Sequence, residues 1–384
     1  MIRGQNDDLQ SQTINWLRFP LAVAVVFIHS FGIPSEYALP SLNISSFSGM
    51  DFFNLIRICF SHVITHVAVP IFYLISGYLF FFRLKDFDFR RGYLEKIKSR
   101  LHTLVIPYIL WNLISILSIV ALQVGSFFLK GEPLSNIFNY FQKNGWFHLF
   151  WDCNIWGEDQ LNWIGLATPG TGPSDLPLWF LRDLIVVVLI TPILYWLIKH
   201  WRHYFIWILG FCYISGIWPN IPGLRITAVF FFCIGAYFSI SRKNLVEEFK
   251  RAKLSSYILG MLFMIATVWY DGKSTTIGNF IYPFWIITGV CIIFNLAVSF
   301  VKSGRLKVCF LLSKSSFFIF ATHTILVLPF CTVVCTKVLS WNNPLVLTIR
   351  YFIVPFLAVG ICLLLFYLME KYTPKLLGVL TGNR

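Results

Sequence analysis

Hydrophobic residues occur in ten long runs that are separated by shorter polar segments. A helix needs about 20 apolar residues to cross the hydrocarbon core of a bilayer, and most of these runs reach or approach that length. The pattern therefore predicts an all-α, polytopic membrane bundle of about ten transmembrane helices. The predicted spans cover residues 14–33, 63–82, 103–129, 178–198, 204–219, 224–241, 255–270, 280–301, 315–338 and 345–369.

The distribution of basic residues predicts the orientation of the bundle. With the N-terminus inside, 21 Lys and Arg residues fall in the inner segments and five fall in the outer loops. Cytoplasmic loops of membrane proteins carry such an excess, so we expect both termini in the cytoplasm. The longest outer segment, at about 130–177, is rich in Trp, Gly and Pro. It is predicted to be an extracytoplasmic cap on a single membrane-embedded domain, 1–384, with no appended soluble domain.

Composition agrees with a membrane protein. Hydrophobic residues make up 57% of the chain and charged residues 12%, against about 25% charged in soluble domains, which excludes a soluble enzyme and a disordered chain. The net charge of +14 is explained by the inner loops, so we expect membrane lipid and not nucleic acid as a partner. The nine Cys residues form no CxxC pair and are interpreted as small apolar residues. The first run follows Asp7 and Asp8 and contains Arg18, so it is interpreted as a membrane helix and not as a signal peptide.

Two ionisable residues share one face of the first span. Arg18 and His29 are eleven positions apart, which brings them within about 20° of each other around a helix and separates them by about 16 Å along it. Ionisable groups inside a span are costly and are functional candidates by default. With Ala22 and Val26 between them, this face is a candidate lining of a narrow passage. Alternatively, Arg18 reaches the inner interface and His29 bonds a neighbouring carbonyl.

The densest basic run, RLKDFDFRRGYLEKIKSRLHTLVIPY, follows the second span. Arg90, Arg91, Lys96 and Arg100 in this run are candidate ligands of a polyphosphate, since guanidinium groups bind phosphate through two parallel bonds. The alternative is an anchor at the inner membrane surface. Within the second span, the pair Ser76-Gly77 permits close approach of another helix.

Later spans hold further polar candidates. His323 lies in apolar sequence, and together with His29 it predicts a polar interior shared by two helices; on its own it would be a core residue. Arg182 and Asp183 are adjacent, so we expect them to point in different directions. They either pair locally with loops or contact an external polar substrate. Trp179 and the Trp residues of the cap are either interfacial belt residues or platforms that stack on sugar rings.

Five motifs together resemble the acyltransferase-3 family of integral membrane acyltransferases. Arg18-x10-His29 is similar to the signature of that family's first helix. The other matching elements are IFYLISGYLF at 71–80, the basic stretch from Arg90 to Pro107, LWFLRDL at 178–184, and the late element from Ser316 to His323.

The resemblance implies transfer of an acyl group, usually acetyl, from cytoplasmic acyl-CoA to a hydroxyl of an extracytoplasmic or lipid-linked glycan. It implies a multi-pass protein of the bacterial inner membrane. His29 suits a general base, because imidazole titrates near neutral pH, and Arg18 would hold the donor. The basic run would bind the phosphates of CoA. The substrate-binding candidates are His323, Ser76, Trp179, Arg182 and Asp183.

We expect no metal, since the His residues are dispersed apart from His62 and His66, for which a structural or acceptor-side role is favoured. Two further functions stay open at this point. A transporter or flippase for a polar or lipid-linked glycan would use the same polar interior, but the chain shows no matched broken helices in its two halves. The second open function is that of a non-catalytic subunit of a glycan export machine.

Overall fold

The computed structural model describes residues 2–30, 47–82, 89–153, 160–161, 167–168, 172–219, 221–270, 275–305 and 307–383. Almost all of these residues are helical, and the only strands in these ranges are the two-residue antiparallel pair β1 (Gln160–Leu161) and β2 (Ala167–Thr168). The predicted all-α class is confirmed.

Long apolar helices follow one another along the chain. The α-helices are α1 (Ile2–His29), α2 (Gly49–Arg57), α3 (Ala68–Phe81), α4 (Phe89–Arg100), α5 (Ile106–Lys130), α6 (Ser135–Asn144), α7 (Trp146–Trp151), α8 (Trp179–Leu189), α9 (Thr191–Trp201), α10 (His203–Ser215), α11 (Ile226–Ile240), α12 (Leu245–Lys250), α13 (Leu254–Tyr270), α14 (Thr275–Lys302), α15 (Phe310–Thr322), α16 (Leu328–Val338), α17 (Pro344–Tyr372) and α18 (Pro374–Thr381). Helical turns of other kinds are π-helical at Ile58–Ile64, Leu101–Val105 and His323–Val327, and 3-10 at Thr65–Val67 and Leu176–Leu178.

Within the described ranges, six helical segments are long and apolar enough to cross a membrane. They are Asp7–His29, Gly49–Phe81, Gly92–Lys130, Thr276–Lys302, Phe310–Val338 and Pro344–Tyr372. The pair α8 and α9, bent by 65°, forms a seventh if it is counted as one span, and α10, α11 and α13 are shorter apolar helices. Each of the ten predicted runs overlaps one of these segments. The total of ten spans and the cytoplasmic termini stay predictions.

Helix α3 lies at the centre of the main core and packs most closely against α11. Two glycines allow this approach from opposite sides. A Cβ on Gly77 would lie 2.0 Å from the carbonyl oxygen of Phe232, and a Cβ on Gly235 would lie 1.9 Å from the carbonyl oxygen of Leu74. Any larger residue at either position would force the two backbones apart, as at small-residue interfaces of other membrane helices.

The helix that leads into α3 is interrupted by the π-helical segment Ile58–Ile64, whose altered backbone bonding is completed by other helices. The indole N–H of Trp285 donates to the carbonyl of Val63 at 2.8 Å. The hydroxyl of Ser61 donates to the carbonyl of Phe27 at 2.5 Å, which ties this segment to the last turns of α1. Single π-helical turns inside α-helices often mark functional sites.

Both ends of the predicted cap are hydrogen-bonded to α5. The hydroxyl of Tyr108 donates to the carbonyl of Phe150, at the end of α7. On the return path, the backbone N–H of Asp175 donates to Oδ1 of Asn112 at 3.0 Å. Asn112 lies about 27 Å back along α5 from its last residue, Lys130. The segment after the cap therefore reaches deep into the helix bundle before α8 begins.

Candidate active site

A cavity of about 220 Å³ opens between α1, α3, α4, α8, α15 and the π-helical segment Leu101–Val105, in the half of the bundle that the basic residues predict to be cytoplasmic. It is lined by three of the predicted site residues, Arg18, Ser76 and Arg100, and by Ser316 of the late family-like element. The residues therefore converge from four separate helical segments, although they are spread over 299 positions of the chain.

The lining of this cavity carries positive charge. Arg18, Arg100 and Lys314 line it, and no acidic side chain of the described residues does. The ammonium group of Lys314 lies 3.7 Å from the carboxylate of Glu370, in a pair that is partly exposed to solvent. The cavity is thus suited to an anionic ligand.

The basic run is divided by the structure. Arg100 lines the cavity, whereas Lys96 is not among its lining residues. Arg90 and Arg91 fall in α4, but their side chains lie outside the described residues. The predicted phosphate contacts of this run therefore stay a prediction.

Sequence reasoning missed Lys314 as a lining residue, although a signal was present. Ser313, Ser316, Phe317 and Phe320 line the cavity together with Lys314. Ser316, Phe317 and Phe320 are three, four and seven residues after Ser313, which is the spacing of one helix face. Lys314 is three residues before Phe317 and therefore borders that face, which is the signal.

Aromatic rings line the end of the cavity that lies nearest to His323. The ring of Phe180 lies between those of Phe72 and Phe320, with centroids 5.7 Å apart in both pairs. Phe320 is three residues before His323, a distance of about 4.5 Å along a helix. The cavity therefore ends within one helical turn of a predicted site residue.

His29 and His323 face each other beyond these rings. Their ring centroids are 5.2 Å apart, at an angle of 50°. His323 is fully buried, and its Nδ1 lies 3.0 Å from the carbonyl oxygen of Ile319. A carbonyl can only accept, so Nδ1 carries the proton and Nε2 of the neutral ring holds the lone pair. This Nε2 is buried and has no hydrogen-bond partner among the described residues. The pair is a site where a proton can be accepted.

The path between Arg18 and His29 differs from the expected passage. Ala22 and Val26 are fully buried, and Val26 packs with Ile319 in an apolar cluster. The stripe between the two ionisable residues is therefore filled by neighbouring helices. The cavity instead rises along α3, α8 and α15.

Arg182 and Asp183 form a buried ion pair, so the expectation that they point apart is wrong. Nε of Arg182 donates to Oδ1 of Asp183 at 3.0 Å, because the long arginine side chain turns back along its own helix. The same guanidinium donates to the carbonyl of Trp151 at 2.5 Å. The guanidinium of Arg225 lies 4.3 Å from the ring centroid of Trp179. These candidates join α8 to the cap and to α11, which is the local pairing considered above.

The aromatic residues of the cap are only partly described. Trp146 is exposed and stacks on Phe141, with ring centroids 4.6 Å apart. Trp156 and Trp163 lie outside the described residues. Stacking on sugar rings stays a prediction for this group.

A second imidazole group lies in the irregular part of the helix before α3. Nδ1 of His66 is 2.5 Å from the hydroxyl of Tyr282, and the rings of His62 and His66 are 5.9 Å apart. Their helical segment packs against α1. Among the residues that the structure describes, no three His, Cys, Asp or Glu side chains are grouped so that they can hold a metal ion.

Comparison with known proteins identifies the family of this chain. The acyltransferase-3 family model, which describes an acyltransferase domain, matches residues 12–367. The succinoglycan biosynthesis protein ExoH of Rhizobium meliloti (strain 1021) is 27% identical over 393 residues, which cover 97% of this chain and 92% of that protein. No solved structure matches the chain. The chain is an integral, multi-pass membrane protein, and it belongs to the acyltransferase-3 family.

Proposed function

We propose that this acyltransferase moves an acyl group, most simply acetyl, from cytoplasmic acyl-CoA to a hydroxyl of a polysaccharide or a lipid-linked glycan on the outer side of the membrane. The observation that carries the proposal is the position of the cationic cavity. It opens at the end of the bundle that the excess of basic residues predicts to be cytoplasmic, and it ends within one helical turn of the His29–His323 pair.

The cavity suits the narrow part of such a donor. Its volume of about 220 Å³ is below the roughly 300–1,000 Å³ of sites that enclose a drug-sized molecule. It therefore fits the pantetheine arm with a short acyl group, while the nucleotide stays at the mouth. Arg18, Arg100 and Lys314 would neutralise the phosphates there, as cationic side chains do in other phosphate sites.

The transfer itself needs a base and a route for one proton. One ring nitrogen of His29 takes the proton of the acceptor hydroxyl as its oxygen attacks the thioester carbonyl. The C–S bond breaks, and the same proton passes to the departing thiolate, so that the products are the ester and free CoA. Nε2 of His323 accepts a hydrogen bond from the second N–H of the His29 imidazolium, which steadies the charge while it exists.

The acceptor is proposed from the relative. ExoH is named for succinoglycan biosynthesis, and a polysaccharide hydroxyl agrees with a donor that arrives from the opposite side of the membrane. The two substrates would then meet at the histidine pair. In this arrangement the polar groups of the cap and of His66 lie on the acceptor side.

Purified protein in proteoliposomes tests the proposal. Succinoglycan is trapped in the lumen, radiolabelled acetyl-CoA is added outside, and label on the polymer is counted after the polymer is precipitated. A parallel sample receives radiolabelled succinyl-CoA. We expect acyl-CoA-dependent labelling of the polymer by wild type, and a loss of about 10²–10⁴-fold in His29→Ala, the usual contribution of a general base. His200→Ala, at an exposed position of α9, is the matched control and should retain full activity.

The outcomes separate the alternatives. Labelling from succinyl-CoA alone keeps the acyltransferase and changes the acyl group. Intact acyl-CoA in the lumen without labelled polymer would favour a transporter. A folded His29→Ala protein with the wild-type rate would exclude His29 as the base. Donor binding is measured separately, since a ligand that binds only the native state raises the apparent stability of the protein by RT ln(1 + L/Kd), which increases with its concentration L. Arg100→Ala and the double variant Arg90→Ala, Arg91→Ala should weaken that effect.

A further inference from the structure

The helix that carries His323 breaks directly after this residue. Ile325 has φ −78° and ψ 89°, and Leu326 has φ 67° and ψ −28°. A leucine in the left-handed region is strained, because its Cβ crowds the following backbone. Such a conformation persists only where surrounding contacts hold it.

One contact to the break comes from outside its own helix. The hydroxyl of Thr324 donates to Oδ1 of Asp175 at 3.0 Å. Threonines in continuous helix usually bond their own preceding turn instead, as Thr332 does with the carbonyl of Leu328 at 2.8 Å. The hydroxyl next to His323 therefore links this turn to the segment that returns from the cap.

Asp175 is itself held firmly in place. It is 1% exposed, and its backbone N–H donates to Asn112 on α5. The preceding residue, Ser174, is bonded on both sides, since its N–H donates to the carbonyl of Leu149 at 2.8 Å and its carbonyl accepts from Ser115 at 3.1 Å. A carboxylate anchored in this way is a fixed point against which the turn can be positioned.

Burying the carboxyl group of Asp175 also lowers the stability of the fold. Its Oδ2 is buried and has no hydrogen-bond partner among the described residues. A buried carboxyl group with one unsatisfied oxygen opposes folding, and hydrogen bonding of its other oxygen only partly offsets this cost. Stability alone therefore does not explain a carboxyl group at this place.

We propose that Asp175 is a positioning residue. Through Thr324 it fixes the turn that directs Nε2 of His323 toward His29, so that the return segment 172–178 belongs to the catalytic apparatus. This inference rests on the proposed transfer reaction, in which His323 steadies the charged form of His29. It assigns a role to two residues that lie outside the five family-like motifs described above.

Variants of Thr324 test the contact with minimal change in volume. Thr324→Val removes the hydroxyl and keeps the shape, and Thr324→Ser keeps the hydroxyl. With the proteoliposome assay, we expect kcat of Thr324→Val to fall by about 10²-fold, as for a displacement of about 1 Å at a reacting group. The KM for acetyl-CoA should be unchanged, because neither Thr324 nor Asp175 lines the cavity proposed to bind the donor. Thr324→Ser and Asp175→Asn, which both retain the hydrogen bond, should stay within about threefold of wild type.

Thr332→Val is the matched control. It removes a hydroxyl from the same stretch of helix, but one that is bonded within its own helix. Its kcat should equal that of wild type. If Thr324→Val also has the wild-type kcat, or if Thr324→Ser is as impaired as Thr324→Val, the positioning role is wrong.

A second measurement does not depend on turnover. Cryo-electron microscopy of Thr324→Val should show the His323 ring displaced from its 5.2 Å separation from His29, and that of Thr324→Ser should not. If wild type transfers no acyl group, the proposed function fails, while these maps still decide the contact. An unmoved His323 in Thr324→Val would overturn the inference even in an active enzyme.

Discussion

Replacing Gly77 with alanine should separate α3 from α11 and displace Ser76 from the cavity. The new Cβ would lie 2.0, 2.8 and 3.0 Å from the carbonyl oxygen, carbonyl carbon and Cα of Phe232. These are backbone atoms, so no side-chain rotation can relieve the overlap. Ordinary contact begins at about 3.4 Å, so the helices must move apart by about 1.4 Å, the difference between 3.4 Å and 2.0 Å.

The magnitude follows from this movement. Inserting a methyl group into a well-packed core costs about 1–3 kcal/mol, and a backbone obstacle places this substitution near about 3 kcal/mol. Ser76, which lines the cavity, moves with its neighbour. A misplacement of about 1 Å near the reacting groups can lower the rate about 10²-fold. We therefore expect Gly77→Ala to lose both stability and transfer activity.

The half-life of the folded protein in detergent is the appropriate readout for stability, since many membrane proteins unfold irreversibly and their stability is then a rate. Size-exclusion chromatography after heating at one temperature measures the folded fraction over time. Activity is measured on the same preparation with the proteoliposome assay. Gly235→Ala should behave alike, because its Cβ would meet the carbonyl oxygen of Leu74 at 1.9 Å.

Gly125→Ala and Gly360→Ala are matched controls. Both glycines lie inside α-helices, and no atom lies within 4 Å of a Cβ built on either of them. There the substitution should be neutral or stabilising by up to about 1 kcal/mol, because alanine restricts the unfolded chain more than glycine does. If Gly77→Ala shows the half-life and activity of these controls, the close approach of α3 and α11 is refuted.

Three further substitutions test other parts of the structure. Arg182→Met leaves the fully buried carboxylate of Asp183 without its main partner and should cost about 3–5 kcal/mol, which will shorten the half-life in detergent. Trp285→Phe removes the donor to a buried carbonyl of the π-helical segment and should cost about 1–3 kcal/mol by the same assay. Lys314→Ala should raise the KM for acetyl-CoA, while stability changes by less than about 1 kcal/mol, because its ion pair is partly exposed.

Two of these substitutions have a matched control. Arg251→Met breaks an ion pair with Glu248 whose arginine is 71% exposed, and its half-life should match that of wild type. Lys371→Ala removes a cation that does not line the cavity, and its KM should be unchanged. A stable Arg182→Met protein would show that the buried pair is dispensable. An unaltered KM in Lys314→Ala would remove this lysine from the donor site.

The helical class and the face shared by Arg18 and His29 could be predicted because helix geometry is local. Backbone hydrogen bonds fix the rise and rotation per residue, so eleven positions place two side chains on one face whatever surrounds them. The motifs in the sequence also indicated the family, and the match of the family model to residues 12–367 confirms it. Ser76, a candidate substrate-binding residue, lines the cavity, and so does Ser316 of the late family-like element; their role in binding stays a prediction.

The partners of individual side chains could be identified only from the structure. Adjacent positions point in different directions on a helix, but the side chain of Arg182 bends back to Asp183. The flexible aliphatic part of the arginine is long enough to bring its guanidinium group to the neighbouring carboxylate. The passage expected along Ala22 and Val26 is filled by α15 and α17, and nothing in the spacing along α1 indicates which helices cover it.

The sequence by itself determined that the chain forms a membrane bundle of long helices with an ionisable stripe on the first of them. Only the tertiary structure decided that His29 meets His323, that a cationic cavity ends beside this pair, and that Thr324 bonds Asp175. The physical reason is the range of the interactions. Periodicity and charge act within a helix or at its ends, whereas these contacts join residues up to 294 positions apart through the packing of several helices. That packing also stabilises a helix break after His323 which local propensity alone would not produce.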